Sequence, residues 1–259
     1  MEQINRMPVL FAGHGSPMNA IEDNAFTRSW KEIAGRFSRP KAILSVSAHW
    51  YTRGTRTTDS PDPKTVYDMY GFPRKLYEVK YSPPGAPALA KEAYSLLPRH
   101  VEIDNGWGID HGTWSVLVHM YPDADIPVVQ LSIDRDAGPE EHYRLGRALA
   151  PLREEGVLLF GTGNVVHNLA RIDWTMEQGG YPWADAFDRY IQDAVTNWRH
   201  EDAIFYERAG DAAKHAFYTP EHYDPLLYVL GAAQEGEQVH VFNEARVLGS
   251  LSMTGYLIG

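Results

Sequence analysis

The sequence contains no cysteine among its 259 residues. Disulfides, thiolate nucleophiles, iron–sulfur clusters and cysteine-based zinc sites are therefore excluded. Any metal that the chain binds must be held by histidine, carboxylate or backbone oxygen, a donor set that suits iron, zinc or manganese. The absence of cysteine also agrees with a cytoplasmic protein, and the cytoplasm is the location that we expect.

Two further absences narrow the class of protein. No apolar run approaches the ~20 residues that a membrane span needs, and residues 1–7 lack the apolar segment of a signal peptide. The 24 Lys and Arg residues are outnumbered by 34 Asp and Glu residues, which gives a formal net charge of −10. Phosphate binding needs clustered basic residues. We therefore expect neither a membrane nor a nucleic-acid partner. The sequence leaves the oligomeric state open.

Apolar strand patterns alternate with helical patterns along the chain. The predicted strands cover residues 9–12, 42–46, 127–133, 157–160, 239–242 and 250–258. The predicted helices cover residues 24–37, 86–97, 140–154 and 183–198, and one more begins at Pro220. The aperiodic segment 52–85 is long enough to suggest a functional loop. This alternation predicts a single α/β domain over residues 1–259, with a mainly parallel or mixed central sheet and helices on both faces.

Four of the eleven histidines follow apolar runs or lie beside turns: His14, His49, His167 and His222. The ends of strands are where an α/β sheet places its chemistry, and neutral imidazole is the commonest metal ligand. The glycine-rich segment before His167 lacks the third glycine of a dinucleotide loop, because Val166 stands there. The pattern indicates a metal site that the fold assembles, although His14 and His49 each also fit an ordinary turn or core histidine.

Two histidines, His222 and His111, each stand next to a carboxylate in the sequence, and the role of each pair has more than one interpretation. Glu221 is a rival ligand beside His222, and because adjacent helical residues diverge by about 100°, only one of the two is expected to face a site. His111 is a fifth candidate, either as a turn histidine or as a proton carrier whose ring Asp110 orients. The other six histidines are interpreted as structural or surface residues.

Five motifs around these residues resemble the 4,5-DOPA extradiol dioxygenase family, the class III or LigB-type group of ring-cleaving enzymes. In chain order they are GHGSPM at 13–18, SAHW at 47–50, WGIDHG at 107–112, GNVVHN at 163–168 and PEHYDPL at 220–226. They follow the family's order and span nearly the whole chain. The resemblance implies a non-haem iron enzyme that splits a catechol ring beside a hydroxyl and uses both atoms of O₂.

The resemblance also implies roles for single residues. His14 and His49 take the positions of metal ligands, and His222 is assigned as the third ligand, where the wider superfamily has a glutamate. His167 is the candidate acid/base and is also considered as a fourth metal contact, while His111 matches a second active-site histidine. Fe(II) is expected for activity, and Zn(II) is a second ion that such a site suits.

The expected partners are a small catechol such as DOPA and O₂. Two other functions stay open: a mononuclear zinc hydrolase with a metal-activated water as nucleophile, and a metal-binding protein without turnover. The candidate aromatic lining of a substrate pocket consists of Tyr67, Tyr70, Phe72, Trp107 and Tyr223.

Overall fold

A computed structural model describes residues 6–259, so the first five residues of the predicted domain lie outside the described part. The strands in this part are β1 (Val9–Gly13), β2 (Ala42–Thr52), β3 (Thr55–Thr57), β4 (Val101–Ile103), β5 (Val128–Asp134), β6 (Val157–Gly163), β7 (Val239–Phe242), β8 (Arg246–Val247), β9 (Leu251–Ser252) and β10 (Gly255–Ile258). The α-helices are α1 (Ala25–Ala34), α2 (Pro87–Leu96), α3 (His111–Met120), α4 (Pro139–Leu149), α5 (Pro182–Thr196), α6 (His200–Ile204), α7 (Ala213–Ala216) and α8 (Asp224–Ala232).

Eight strands form one mixed sheet in the order β4–β3–β5–β2–β6–β1–β10–β7. The four central strands β5, β2, β6 and β1 are parallel, whereas β10 and β7 continue the sheet in antiparallel pairing. Parallel strands are buried on both faces and are therefore apolar throughout, which explains the short apolar runs of the sequence. Because β1, β2 and β6 run in one direction, their carboxyl ends meet at one edge of the sheet.

Helices cover both faces of the sheet, as predicted. Side chains alternate between the faces of a strand, so Leu10 and Ala12 of β1 join the core formed with α1 and α3. Val9 and Phe11 of the same strand join the other core, to which α2, α4, α5 and α8 contribute. The predicted fold class, an α/β arrangement around a mainly parallel or mixed sheet, is thus confirmed.

Helix α3 has no counterpart among the predicted helices. Eight of its ten residues are buried, so it has no polar face and shows none of the apolar–polar periodicity by which a surface helix is recognised. Its first residue is His111, for which a turn histidine was one of the two interpretations of the sequence. Within residues 6–259 no helix is both long and apolar enough to cross a bilayer.

Strand β2 runs further than predicted, to Thr52, so His49 lies inside the strand and not at its end. Its pairing with β5 shifts register between Val46 and Tyr51. Extra residues in one strand bend it and redirect side chains. Because of this irregularity, side chains around His49 need not alternate strictly between the two faces of the sheet.

Candidate metal centre

Five histidine rings converge at the carboxyl edge of β1, β2 and β6. The ring centroid of His14 lies 5.0 Å from that of His49 and 5.4 Å from that of His222. His111 lies 3.8 Å from His49, and His167 stacks on His222 at 3.4 Å. All five candidate histidines therefore meet in one place, although more than half of the chain separates the first from the last.

His14 directly follows β1, and its backbone N–H donates to the carbonyl of Gly163 at 3.1 Å. Its Nδ1 lies 2.9 Å from the hydroxyl of Thr162. That hydroxyl donates a hydrogen bond to the carbonyl of Gly112 at 2.6 Å, so its oxygen must accept a hydrogen bond from Nδ1–H of His14. The Nε2 atom of His14 is consequently unprotonated in the neutral ring.

His49 has the same arrangement with a charged partner. Its Nδ1 lies 3.1 Å from Oδ2 of Asp68, and because an ionised carboxylate only accepts, the proton of the neutral ring resides on Nδ1. The Nε2 atoms of His49 and His14 face each other at 3.1 Å. When both rings are neutral, their two lone pairs repel at this distance unless a cation lies between them. Both nitrogens fit one metal ion at the usual bond length of ~2.0–2.1 Å.

His222 also points its Nδ1 at a fixed acceptor, because Oε1 of Glu221 lies 3.0 Å away. Although the two residues are adjacent in the chain, this contact places both side chains beside the cluster, contrary to the expectation that only one would face it. Residues Pro220–His222 form a 3₁₀ turn, and α8 begins only at Asp224. Gly163 lets this turn approach β6, because a Cβ at that position would lie 2.0 Å from the carbonyl of His222. The Nε2 atom of His222 is thereby left as a third potential ligand.

Among residues 6–259, the possible metal ligands form two groups of three, and within each group the donor atoms lie within 4.8 Å of one another. The first group is His14, His49 and His111, and the second is His167, Glu221 and His222. The triad assigned from the sequence takes two members from the first group and one from the second. His111 therefore competes with His222 for the third position.

Burial keeps most of these rings neutral. Burial, with a further contribution from His49, lowers the pKa of His14 well below its ordinary value. Burial and the neighbouring His167 do the same for the pKa of His222, and burial lowers the pKa of His167 to about 3. Burial would also lower the pKa of His49, but its hydrogen bond to Asp68 and nearby carboxylates raise it. Since metal ligands must be unprotonated, the cluster suits a cation.

Asp110 does not orient the ring of His111, contrary to the prediction. Its carboxylate caps α3 by accepting from the backbone N–H of Thr113 at 3.2 Å and from the hydroxyl of Ser47 at 2.7 Å. The ring of His111 instead faces Asp68, with 2.9 Å between Nδ1 and Oδ1. Asp68 is not recognisable from the sequence as a site residue, because its only signal is its place in the aperiodic segment 52–85.

His167 is held differently from the other histidines. Its backbone N–H donates to the carbonyl of Ala216 at 2.8 Å, and its ring lies nearly parallel to that of His222, with 7° between the planes. No other side chain of residues 6–259 hydrogen-bonds the ring. The ring is thus placed in the cluster without a side-chain hydrogen bond that fixes its tautomer.

The candidate aromatic lining is only partly near the site. Trp107 stacks on Trp50, the neighbour of His49, at 6.0 Å. Tyr70 is 91% exposed, whereas Tyr223 is fully buried and its hydroxyl donates to a backbone carbonyl in the core. Tyr223 is therefore a core residue, contrary to the expectation that it lines a pocket.

A family model described as the catalytic LigB subunit of aromatic ring-opening dioxygenase matches residues 8–256. The chain belongs to the LigB family. A protein of Escherichia coli (strain K12) named 4,5-DOPA dioxygenase extradiol is 48% identical, with 98% of this chain and 95% of that protein covered. A Beta vulgaris protein of the same name is 40% identical, with 97% and 96% covered.

A solved structure supports the same LigB assignment. The crystal structure of an uncharacterized protein from Escherichia coli K12 has a TM-score of 0.86 and 45% sequence identity, and it covers 98% of this chain and 100% of its own. The predicted family is thus confirmed. LigB dioxygenases depend on a metal ion, and the histidine cluster offers the donors that such an ion needs.

Proposed function

We propose that this protein is an extradiol dioxygenase that opens the ring of a small catechol, with DOPA as the expected substrate, and adds both atoms of O₂. The family and the names of its relatives support ring cleavage. The observation that carries the proposal is the pair of Nε2 atoms of His14 and His49, which face each other 3.1 Å apart. His222 completes the proposed ligand set, with Fe(II) for activity and Zn(II) as another ion that the site accepts.

Bound Fe(II) would hold the catechol oxygens and O₂ at one centre and pass electron density from the ring to oxygen. The protein's own part begins with three acceptors, Thr162, Asp68 and Glu221, which fix the proposed ligands with Nε2 unprotonated. Metal-ligating histidines usually donate the other ring N–H to such a partner, which fixes the tautomer and raises ligand basicity.

A catechol loses a proton when it binds, and the opened ring needs one back. We assign this transfer to His167, with His111 as a second proton carrier. Burial is the main cause of the lowered pKa of His167, so the ring is unprotonated when the substrate arrives and can accept its proton. Once protonated, the same ring can return that proton to the ring-opened product.

Family membership favours ring cleavage over the zinc hydrolase and over a metal-binding protein without turnover. The deciding experiment adds Fe(II) anaerobically to metal-free protein, then DOPA, and finally air. We expect O₂ uptake and a coloured ring-opened product with Fe(II), and neither in the His49→Ala variant. A protein that consumes no O₂ with DOPA, protocatechuate or caffeate, while it retains the metal, would contradict the proposal.

The third ligand is tested by metal content after purification. We expect His222→Ala to lose the metal and His111→Gln to retain it. Glu221→Gln removes only the partner of a ligand, which typically costs ~10–100-fold in metal affinity. The opposite result, with metal lost from His111→Gln and retained by His222→Ala, would assign the site to His14, His49 and His111.

A further inference from the structure

We propose that Asp68 is a positioning residue whose single carboxylate holds both a metal ligand and a proton carrier. Its Oδ2 lies 3.1 Å from Nδ1 of His49, and its Oδ1 lies 2.9 Å from Nδ1 of His111. The inference rests on the proposed function, in which His49 binds the metal and His111 carries a proton. It adds a coupling between the two histidines that neither residue suggests alone.

Asp68 contacts His111 in two ways. Besides the ring, it accepts from the backbone N–H of His111 at 3.0 Å, again through Oδ1. This N–H is the first of α3, and the first N–H groups of a helix have no partner within the helix. The carboxylate, with only 12% of its side chain exposed, therefore fixes both the start of α3 and the ring that the helix carries.

The charge of Asp68 determines the tautomers of both rings. Each oxygen of Asp68 lies beside one Nδ1 atom, and the carboxylate also accepts from the backbone N–H of His111. Such contacts favour the ionised side chain. An ionised carboxylate has no proton to donate, and both facing Nδ1 atoms must carry one. In the neutral rings both Nε2 atoms are then unprotonated, one to bind a metal and the other to accept a proton.

The loop that carries Asp68 is fastened two residues away. The backbone N–H of Val66 donates to the carbonyl of Ile109, and the N–H of Ile109 donates to the carbonyl of Lys64, both at 2.8 Å. Gly108 permits this approach, because a Cβ there would lie 2.0 Å from the carbonyl of Lys64. Asp68 is thus supported from the segment that leads into α3.

A shared carboxylate couples the two rings mechanically. The centroids of His49 and His111 are 3.8 Å apart, so neither ring can turn without disturbing its contact with Asp68 or with the other ring. A metal ion that fixes His49 would therefore also keep His111 aligned. Removal of the carboxylate should weaken metal binding and proton transfer together.

The test uses Asp68→Asn, because an amide offers one acceptor oxygen and one donor group. Only one of the two Nδ1–H groups then keeps an acceptor. With zinc-loaded protein, we expect zinc affinity to fall ~10–100-fold in a chelator competition, and at least one histidine Nδ1–H signal to disappear from the ¹H–¹⁵N NMR spectrum. Glu221→Gln is the matched control, since it should weaken zinc binding while the signals of His49 and His111 remain.

A double variant separates the two roles. At saturating Fe(II), Asp68→Asn should lower kcat at least tenfold, with a smaller change in KM. In a His111→Gln background, the same substitution should lower kcat much less, because the effect passes through His111. An undiminished loss in that background would show that Asp68 acts through His49 alone and would overturn the shared role.

Zinc affinity and Nδ1–H signals are measured without catechol or O₂, so a failure of the proposed ring cleavage leaves them interpretable. Wild-type affinity together with unchanged signals in Asp68→Asn would overturn the inference. If Asp68→Asn does not fold, Asp68→Glu keeps the charge and moves it by one methylene. Shifted Nδ1–H signals with weaker zinc binding then support the inference, and wild-type values overturn it.

Discussion

The two sides of the histidine cluster are built in different ways. The sheet side consists of His14, His49 and His111, and the loop side consists of His167, Glu221 and His222. On the sheet side, ring nitrogens face acceptors that are distant in sequence, such as Thr162 for His14. On the loop side, the ring of His222 is hydrogen-bonded to Glu221, its neighbour in the chain, and the ring of His167 only stacks on the ring of His222.

This difference predicts different functions for the two sides of the cluster. Rings that are fixed by distant parts of the fold hold their Nε2 atoms in place before any ion binds, as a ligand should. The loop side has a fixed backbone, since the N–H of Asn164 donates to the carbonyl of His222 at 2.8 Å, but its rings depend on local contacts. We therefore expect His14 and His49 to hold the metal most firmly, with His222 as the third proposed ligand, and His167 to control turnover.

The largest effect is expected on the sheet side. His14→Ala and His49→Ala should each abolish metal retention, and ring opening with it, while the protein stays folded. His240→Ala is the control, because this residue lies on the outer strand β7, away from the cluster. Elemental analysis of the purified variants decides the matter, and near-stoichiometric metal in either site variant would remove that residue from the ligand set.

On the loop side, His167→Gln should lower kcat by ~10²–10⁴-fold, the usual contribution of general acid–base catalysis. Metal content and catechol binding should persist, because His167 is not one of the proposed ligands. Loss of metal together with activity would instead make His167 a fourth ligand. Turnover like that of the wild type would leave His111 as the proton carrier.

The sequence allowed the histidines to be found because glycines and apolar runs mark the ends of β1 and β6, and because five motifs occur in family order. It did not reveal Asp68, since the position of that side chain depends on main-chain contacts between two loops and not on a local pattern. Proximity in sequence also suggested the wrong partner for His111. Asp110 is its neighbour in the chain, but as the N-cap of α3 it turns toward the helix backbone.

A buried histidine outside the site, His142, also makes the stability of the fold sensitive to acid. Burial lowers the pKa of His142 to about 4, below the unfolded value near 6.5. Its contribution to stability is therefore present above pH 6.5 and is lost as the pH falls toward 4, by at most about 3 kcal/mol. Urea unfolding of metal-free His142→Leu between pH 7 and 4.5 should show a flatter decline than the wild type. An equal decline would show that the cluster itself, and not His142, dominates the acid sensitivity.

The smallest effect is expected from replacing a glycine that lies close to a backbone carbonyl. Two such glycines can be compared, one beside the cluster and one away from it. A Cβ at Gly163 would lie 2.0 Å from the carbonyl of His222, and a Cβ at Gly231 would lie 2.0 Å from the carbonyl of Tyr143, outside the cluster. Overpacking of this kind typically costs about 1–3 kcal/mol, so both alanine variants should be destabilised to a similar degree.

Only Gly163→Ala displaces the turn that carries His222, so only this variant should also bind zinc more weakly, by about tenfold if the proposed ligand is moved rather than removed. Urea unfolding and chelator competition on the same samples separate the two effects. Equal zinc affinity in both variants would mean that the loop side tolerates a displaced backbone. In that case the metal is held by the sheet side alone, and His111 becomes the better candidate for the third ligand.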